Sequence, residues 1–152
     1  MDKVFLVVLG LITFFAYMDA KQIITFHTLN TQSAWDLYNT YTGPAIWSMW
    51  TMVLIAIGVI WYIIFKDKSE ALGISGAGII LQFFGTQDLI YFYFSKQTLA
   101  EVGCWADAMS PIKVISDLLN ESCPTATSFI ISGILGIIIA YYAYRWLKKA
   151  AW

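Results

Sequence analysis

The sequence predicts an all-α, polytopic membrane protein: a four-transmembrane-helix bundle with short interfacial helices in the outer loops. Three observations carry this. The chain is 59% hydrophobic and 12% charged, with a mean hydropathy of +0.67, whereas soluble domains run near 45–50% apolar and about 25% charged. Four apolar segments, about residues 4–26, 45–65, 71–95 and 126–147, are each long enough to cross a bilayer. Aromatic residues, 17% of the chain, gather near segment ends, as they do at membrane interfaces. A chain of 152 residues has room for one domain. A net charge of −1 with no basic face excludes a nucleic-acid partner and leaves membrane lipids as the expected surroundings.

The first segment opens with the uninterrupted run Val4–Met18. Fifteen residues rise only about 22 Å as a helix, against a hydrocarbon core of about 30 Å. Ile23, Ile24 and Phe26 extend the span past Asp19. A signal peptide is the competing reading, but Met18 is a poor residue three positions before a cut near Ala20. Next, Thr28–Thr42 is polar and aromatic. Ser33 is placed to cap a short interfacial helix bearing Trp35, Tyr38 and Tyr41.

Gly43-Pro44 starts the second span, with proline where its missing N–H costs nothing. This span ends at Lys66-Asp67-Lys68. The third is predicted as one helix from about Ala71 to Ser95, glycine-rich at first and interrupted by Gln82 and Thr86-Gln87-Asp88. In the long loop that follows, Ser110-Pro111 reads as a helix start, and Ile112, Ile115 and Leu119 form an apolar stripe suited to a membrane surface. The fourth span ends in Lys148-Lys149.

Four crossings put both termini and the Lys66–Glu70 turn on one side. That side carries six basic residues (Lys3, Lys66, Lys68, Arg145, Lys148 and Lys149), against three on the other (Lys21, Lys96 and Lys113). The bias predicts cytoplasmic N- and C-termini. Cys104 and Cys123 then share an outer loop, where they are expected to form a disulfide worth roughly 3 kcal/mol in the chain-entropy model.

Chemistry is expected where polar groups sit at bilayer depth. A carboxylate there costs at least about 2.5 kcal/mol, so it faces other helices or a wet cavity. Asp88 lies about 27 Å along its span from Glu70, and Asp19 about 24 Å from Lys3. Both are therefore in the outer part of the bilayer. Two carboxylates at one depth suit acid–base work, because repulsion and poor solvation drive one of them to keep its proton. Gln22, Gln87, Tyr91, Asp36 and the lone His27 complete the candidate cluster. One histidine among carboxylates gives no zinc pattern and suits a hard divalent ion better than a soft one, and the sequence leaves any cofactor unknown.

Two functional readings follow. One is a membrane-embedded acid–base enzyme or binder for a lipid or isoprenoid, with Asp88, Asp19 and His27 catalytic and Gln87, Tyr91, Gln22 and Asp36 binding substrate. The other is a subunit passing protons, cations or a small solute, with the same carboxylates as the ion site. A non-catalytic accessory protein is the third possibility. No P-loop, nucleophile elbow or HExxH is present. Ser128, Ser132, Gly136 and Ala140 make a small-residue stripe that lets helices approach closely, either within the chain or across a homodimer.

Overall fold

The computed structural model describes residues 2–28, 43–95 and 110–150, with the backbone alone for 22–28, 43, 44, 46 and 110. Six helices lie in them: α1 (Lys3–Thr28), α2 (Gly43–Phe65), α3 (Lys68–Phe83), α4 (Thr86–Ser95), α5 (Ser110–Leu118) and α6 (Ala126–Ala150). Three of them, α1, α2 and α6, are long and apolar enough to span a membrane.

In α1, Val4, Phe5, Val8, Ile12, Phe15, Ala16, Asp19 and Ala20 are all buried. Their three- and four-residue spacing makes one inward stripe. Asp19 lies on that stripe, so the helix itself aims the carboxylate inward. Leu6, Val7, Phe14 and Tyr17 point outward, which suits a helix surrounded by lipid.

Helix α2 buries Trp50 and Leu54 but exposes Met52, Ile55, Val59, Ile60, Ile63 and Ile64. Lys66 stops it in the left-handed region, at φ 54. Asp67 immediately caps α3, accepting from the Glu70 N–H at 2.9 Å and the Ser69 hydroxyl at 2.7 Å. Those donors, the Glu70 N–H foremost, hold its carboxyl below its ordinary range. The cap's contribution is thus full above the usual aspartate range and fades as pH falls through the lowered folded value. Asp67→Ala should cost about 1 kcal/mol. Thermal unfolding in detergent at neutral pH should show this loss, and the gap from wild type should close in strong acid.

Helices α2 and α3 approach closely at Gly58, where an added Cβ would run into the Ser75 hydroxyl. At the same end of the bundle, Lys148 pairs with Asp2 at 2.8 Å and reaches Glu70 at 3.9 Å, and Trp61 donates to Glu70 at 3.1 Å. The N-terminus, the α2–α3 turn and the end of α6 therefore sit together.

The predicted third span is not one helix. It breaks at Phe84-Gly85, and neither half alone is long enough to cross. Gly85 has φ +73, and the Phe84 and Gly85 N–H groups turn back to the Ile80 and Gln82 carbonyls. Only glycine adopts that backbone cheaply. Helix α6 receives the break. Ser132 donates to the Phe84 carbonyl at 2.7 Å, and Thr86 to the Gly133 carbonyl at 3.2 Å. Ser128, Ser132, Gly136 and Ala140 are all buried within the chain. The small-residue stripe serves this packing within the chain.

The α5 stripe also differs from expectation. Ile112 and Ile115 are buried against protein, and Ile112 lies over Gly85. Val114, Leu118 and Leu119, the last of them a member of the predicted stripe, stay exposed. An αL glycine leaves a notch in the helix surface, and an apolar side chain from α5 fills it.

Candidate functional site

The break turns the first turn of α4 toward α1. Gln87 Nε2 donates to Asp19 Oδ2 at 2.6 Å, and Trp50 Nε1 of α2 donates to Asp19 Oδ1 at 2.7 Å. Three helices thus meet on one carboxylate. Phe15 stacks on the Trp50 ring, with centroids 4.3 Å apart, and walls one side. Asp19, Thr86, Gln87 and Tyr91 are all buried.

Asp88 follows Gln87 in the chain and lies within electrostatic reach of Asp19. Its Oδ2 is buried without a hydrogen-bond partner, and so is Gln87 Oε1. The amide cannot simply be reversed to cure the second, because its nitrogen is needed against the Asp19 carboxylate. Two buried oxygens therefore lack donors beside a second carboxylate. The N-terminus of α4 favours an anion at Asp88 by about 0.3–1 kcal/mol. A buried polar oxygen left without a partner costs about 1–3 kcal/mol, and more when it is charged. The second effect wins, so the site as built calls for a positive partner.

Basic groups do not supply it among the described residues near the site. Lys21 is exposed and lies over the Tyr17 ring, and Lys113 is paired with Asp117 at 2.8 Å on the outer surface of α5. No group of three or more histidine, cysteine, aspartate or glutamate residues fit for a metal occurs among the described residues.

A second polar knot lies one turn below, where Gln82 donates to the Trp47 carbonyl at 2.9 Å and accepts from Thr51 at 2.9 Å. It ties α3 to α2 directly under the break.

Of the sequence-predicted residues, Asp19, Gln87 and Asp88 come together, with Tyr91 buried one turn further along α4. Gln22 and His27 lie on the last turns of α1, but their side chains fall outside the described ones. Asp36 lies outside the described residues altogether. So does Cys104, and its expected pairing with Cys123 is therefore outside the described residues, although Cys123 itself is not a free thiol. Sequence reasoning missed Trp50 as an Asp19 partner, counting it only among the aromatic residues near segment ends. Depth matching would have found it: Trp50 stands about 22 Å before the end of α2, close to the depth of Asp19.

Comparison with family models, with curated proteins and with solved structures gives no match. Function therefore has to be argued from the site itself.

Proposed function

We propose that this chain is a membrane transport protein or channel subunit for protons or small cations, with Asp19 and Asp88 as its ion-binding pair. One observation carries the reading: a buried carboxylate, Asp19, and a half-buried one, Asp88, lie together at a helix break, with two buried oxygens still lacking donors. Broken helices at membrane depth are tolerated where they are buried in protein or line a cavity, and they recur at ion sites.

In this reading α3 and α4 together make the fourth crossing. Their 16 and 10 residues span about 39 Å, enough for a core of about 30 Å that neither crosses alone with ease. The break then lies inside the bilayer, toward the end opposite the termini.

A lipid or isoprenoid substrate is less well supported. Gln87, Trp50 and Asp19 touch one another directly, which leaves no room for a headgroup between them. The open apolar groove of about 380 Å³ is lined by Phe5, Ile137, Ile138, Tyr141 and Tyr142. It lies at the terminal end of α1, about 21 Å along the helix from Asp19.

The termini are proposed to be cytoplasmic, and Cys104 and Cys123 to pair in the oxidising outer compartment. Reporter fusions at the C-terminus and in the loop after α4 should report opposite sides, with the C-terminus inside. The function itself is tested by flux in proteoliposomes. Ion or proton movement beyond that of empty vesicles, driven by an imposed gradient, is the expected result, and its absence under every tested cation gradient would reject the reading.

A further inference from the structure

We propose that the two carboxyls have fixed and different roles: Asp19 is a permanent anion, and Asp88 is the group that takes up and releases the proton. This deepens the ion-pair reading above and rests on it for its biological meaning, but its evidence is separate.

The asymmetry lies in their partners. Each Asp19 oxygen faces an N–H: Trp50 Nε1 at Oδ1 and Gln87 Nε2 at Oδ2. An indole nitrogen only donates. A proton on Oδ1 would therefore set one donor against another, and no rotation of the ring could relieve it. A proton on Oδ2 would do the same unless the Gln87 amide reversed. The site is built for a carboxylate at Asp19.

Asp88 is the opposite case. Its Oδ2 is buried, and no protein group donates to it. A carboxyl proton fills that need with the smallest possible occupant. A metal cation needs many more oxygens. Hard divalent ions gather about six or more, while Asp19 is bonded by Trp50, whose ring is stacked on Phe15, and the next turn of α4 brings the buried Tyr91.

The charged and titratable groups facing Asp88 are few. Helix α1 presents Asp19, and α4 itself presents Tyr91. Helix α3 has no charged residue after Glu70, and α6 has none before Arg145. Helix α2 brings Trp50 and no charge. On α5, Lys113 and Asp117 bind each other at the surface. Among the described residues, Asp19 is the one charged group set against the charge of Asp88. Its protonation is coupled to one fixed negative charge, and the pair passes between net −1 and net −2.

Infrared difference spectroscopy of the whole protein in proteoliposomes, stepped in pH, reads this directly. A carboxylic-acid C=O band that shifts in D₂O should rise on acidification, vanish in Asp88→Asn and survive in Asp19→Asn. A band that survives Asp88→Asn and is lost in Asp19→Asn would reverse the roles and overturn the assignment. As a check that needs neither variant to fold, the wild type is also titrated with Na⁺ and K⁺ at fixed pH. A band indifferent to both supports a proton site, and one displaced stoichiometrically by either overturns it. Flux measured on the same vesicles separates the two proposals. An Asp88 acid band without flux removes the transport reading alone, and flux that needs Asp88 without any acid band removes the assignment alone.

Discussion

Asp88→Asn is expected to bring proton or cation flux in proteoliposomes down to the level of empty vesicles, while the protein still purifies as a folded species. The asparagine keeps the size and planarity of the side chain but cannot gain or lose a charge. Folding should survive because Oδ2 has no partner to lose, and the carboxyl's hydrogen bond is a local one to its own backbone at the start of α4. The substitution also removes one of two buried negative charges. In the absence of a bound cation the variant should therefore unfold no more easily than wild type, and wild type should be the more strained of the two at high pH. The opposite pattern, in which flux persists while stability drops, would make Asp88 a structural carboxylate and leave the site without a titrating group. Asp19→Asn should behave differently. It strands two donors, Trp50 Nε1 and Gln87 Nε2, against a group with one acceptor oxygen. A loss of about 1–3 kcal/mol is expected from such an unmatched buried group, alongside any loss of flux.

The contrast between these two aspartates also shows what could be read without coordinates. Hydropathy is a property of segments, so the existence of α1, α2 and α6 was legible from long apolar runs. Depth along a helix is simple arithmetic, and it brought Asp19 and Asp88 to one level. The side each helix turns inward was half legible. The stripe through Val8, Ile12, Phe15 and Asp19 has helical spacing, but α1 is apolar on every face, so its sequence does not mark which stripe is buried. The break at Gly85 was not legible. A glycine beside Thr86-Gln87-Asp88 reads as well as a polar patch on a continuous helix, and what decides it is tertiary: Ser132 and Thr86 bonds to α6, and Ile112 in the notch. The partners of Asp19 were hidden for the same reason. Trp50 is 31 residues away and Gln87 is 68, and no local pattern links them.

If α6 is what holds the break in place, one methyl group at the contact should be felt both in stability and at the site. Gly136 is the place to add it. A Cβ there would lie 2.6 Å from the Phe84 Cβ and 2.9 Å from the Thr86 hydroxyl oxygen. Neither is the far end of a flexible side chain. Phe84 Cβ moves only if the backbone at the break moves, and Thr86 is held by its bond to the Gly133 carbonyl. Overpacking of this kind costs typically about 1–3 kcal/mol, which outweighs the gain of up to about 1 kcal/mol that alanine brings over glycine inside a helix. Gly136→Ala should therefore destabilise. Gly10→Ala is the matched control: Gly10 is exposed on α1, and a Cβ there meets nothing within 4 Å. It should leave stability unchanged or slightly raised. The same chemical change is thus expected to act with opposite sign at two helical glycines, as read by thermal unfolding in one detergent. Gly136→Ala should also lower flux, because pushing Phe84 and Thr86 aside displaces the turn that carries Gln87 and Asp88, whereas Gly10→Ala should not. Equal stability of the two variants would mean that α6 does not clamp the break, and the site would then have to be held by the α1–α4 contact alone.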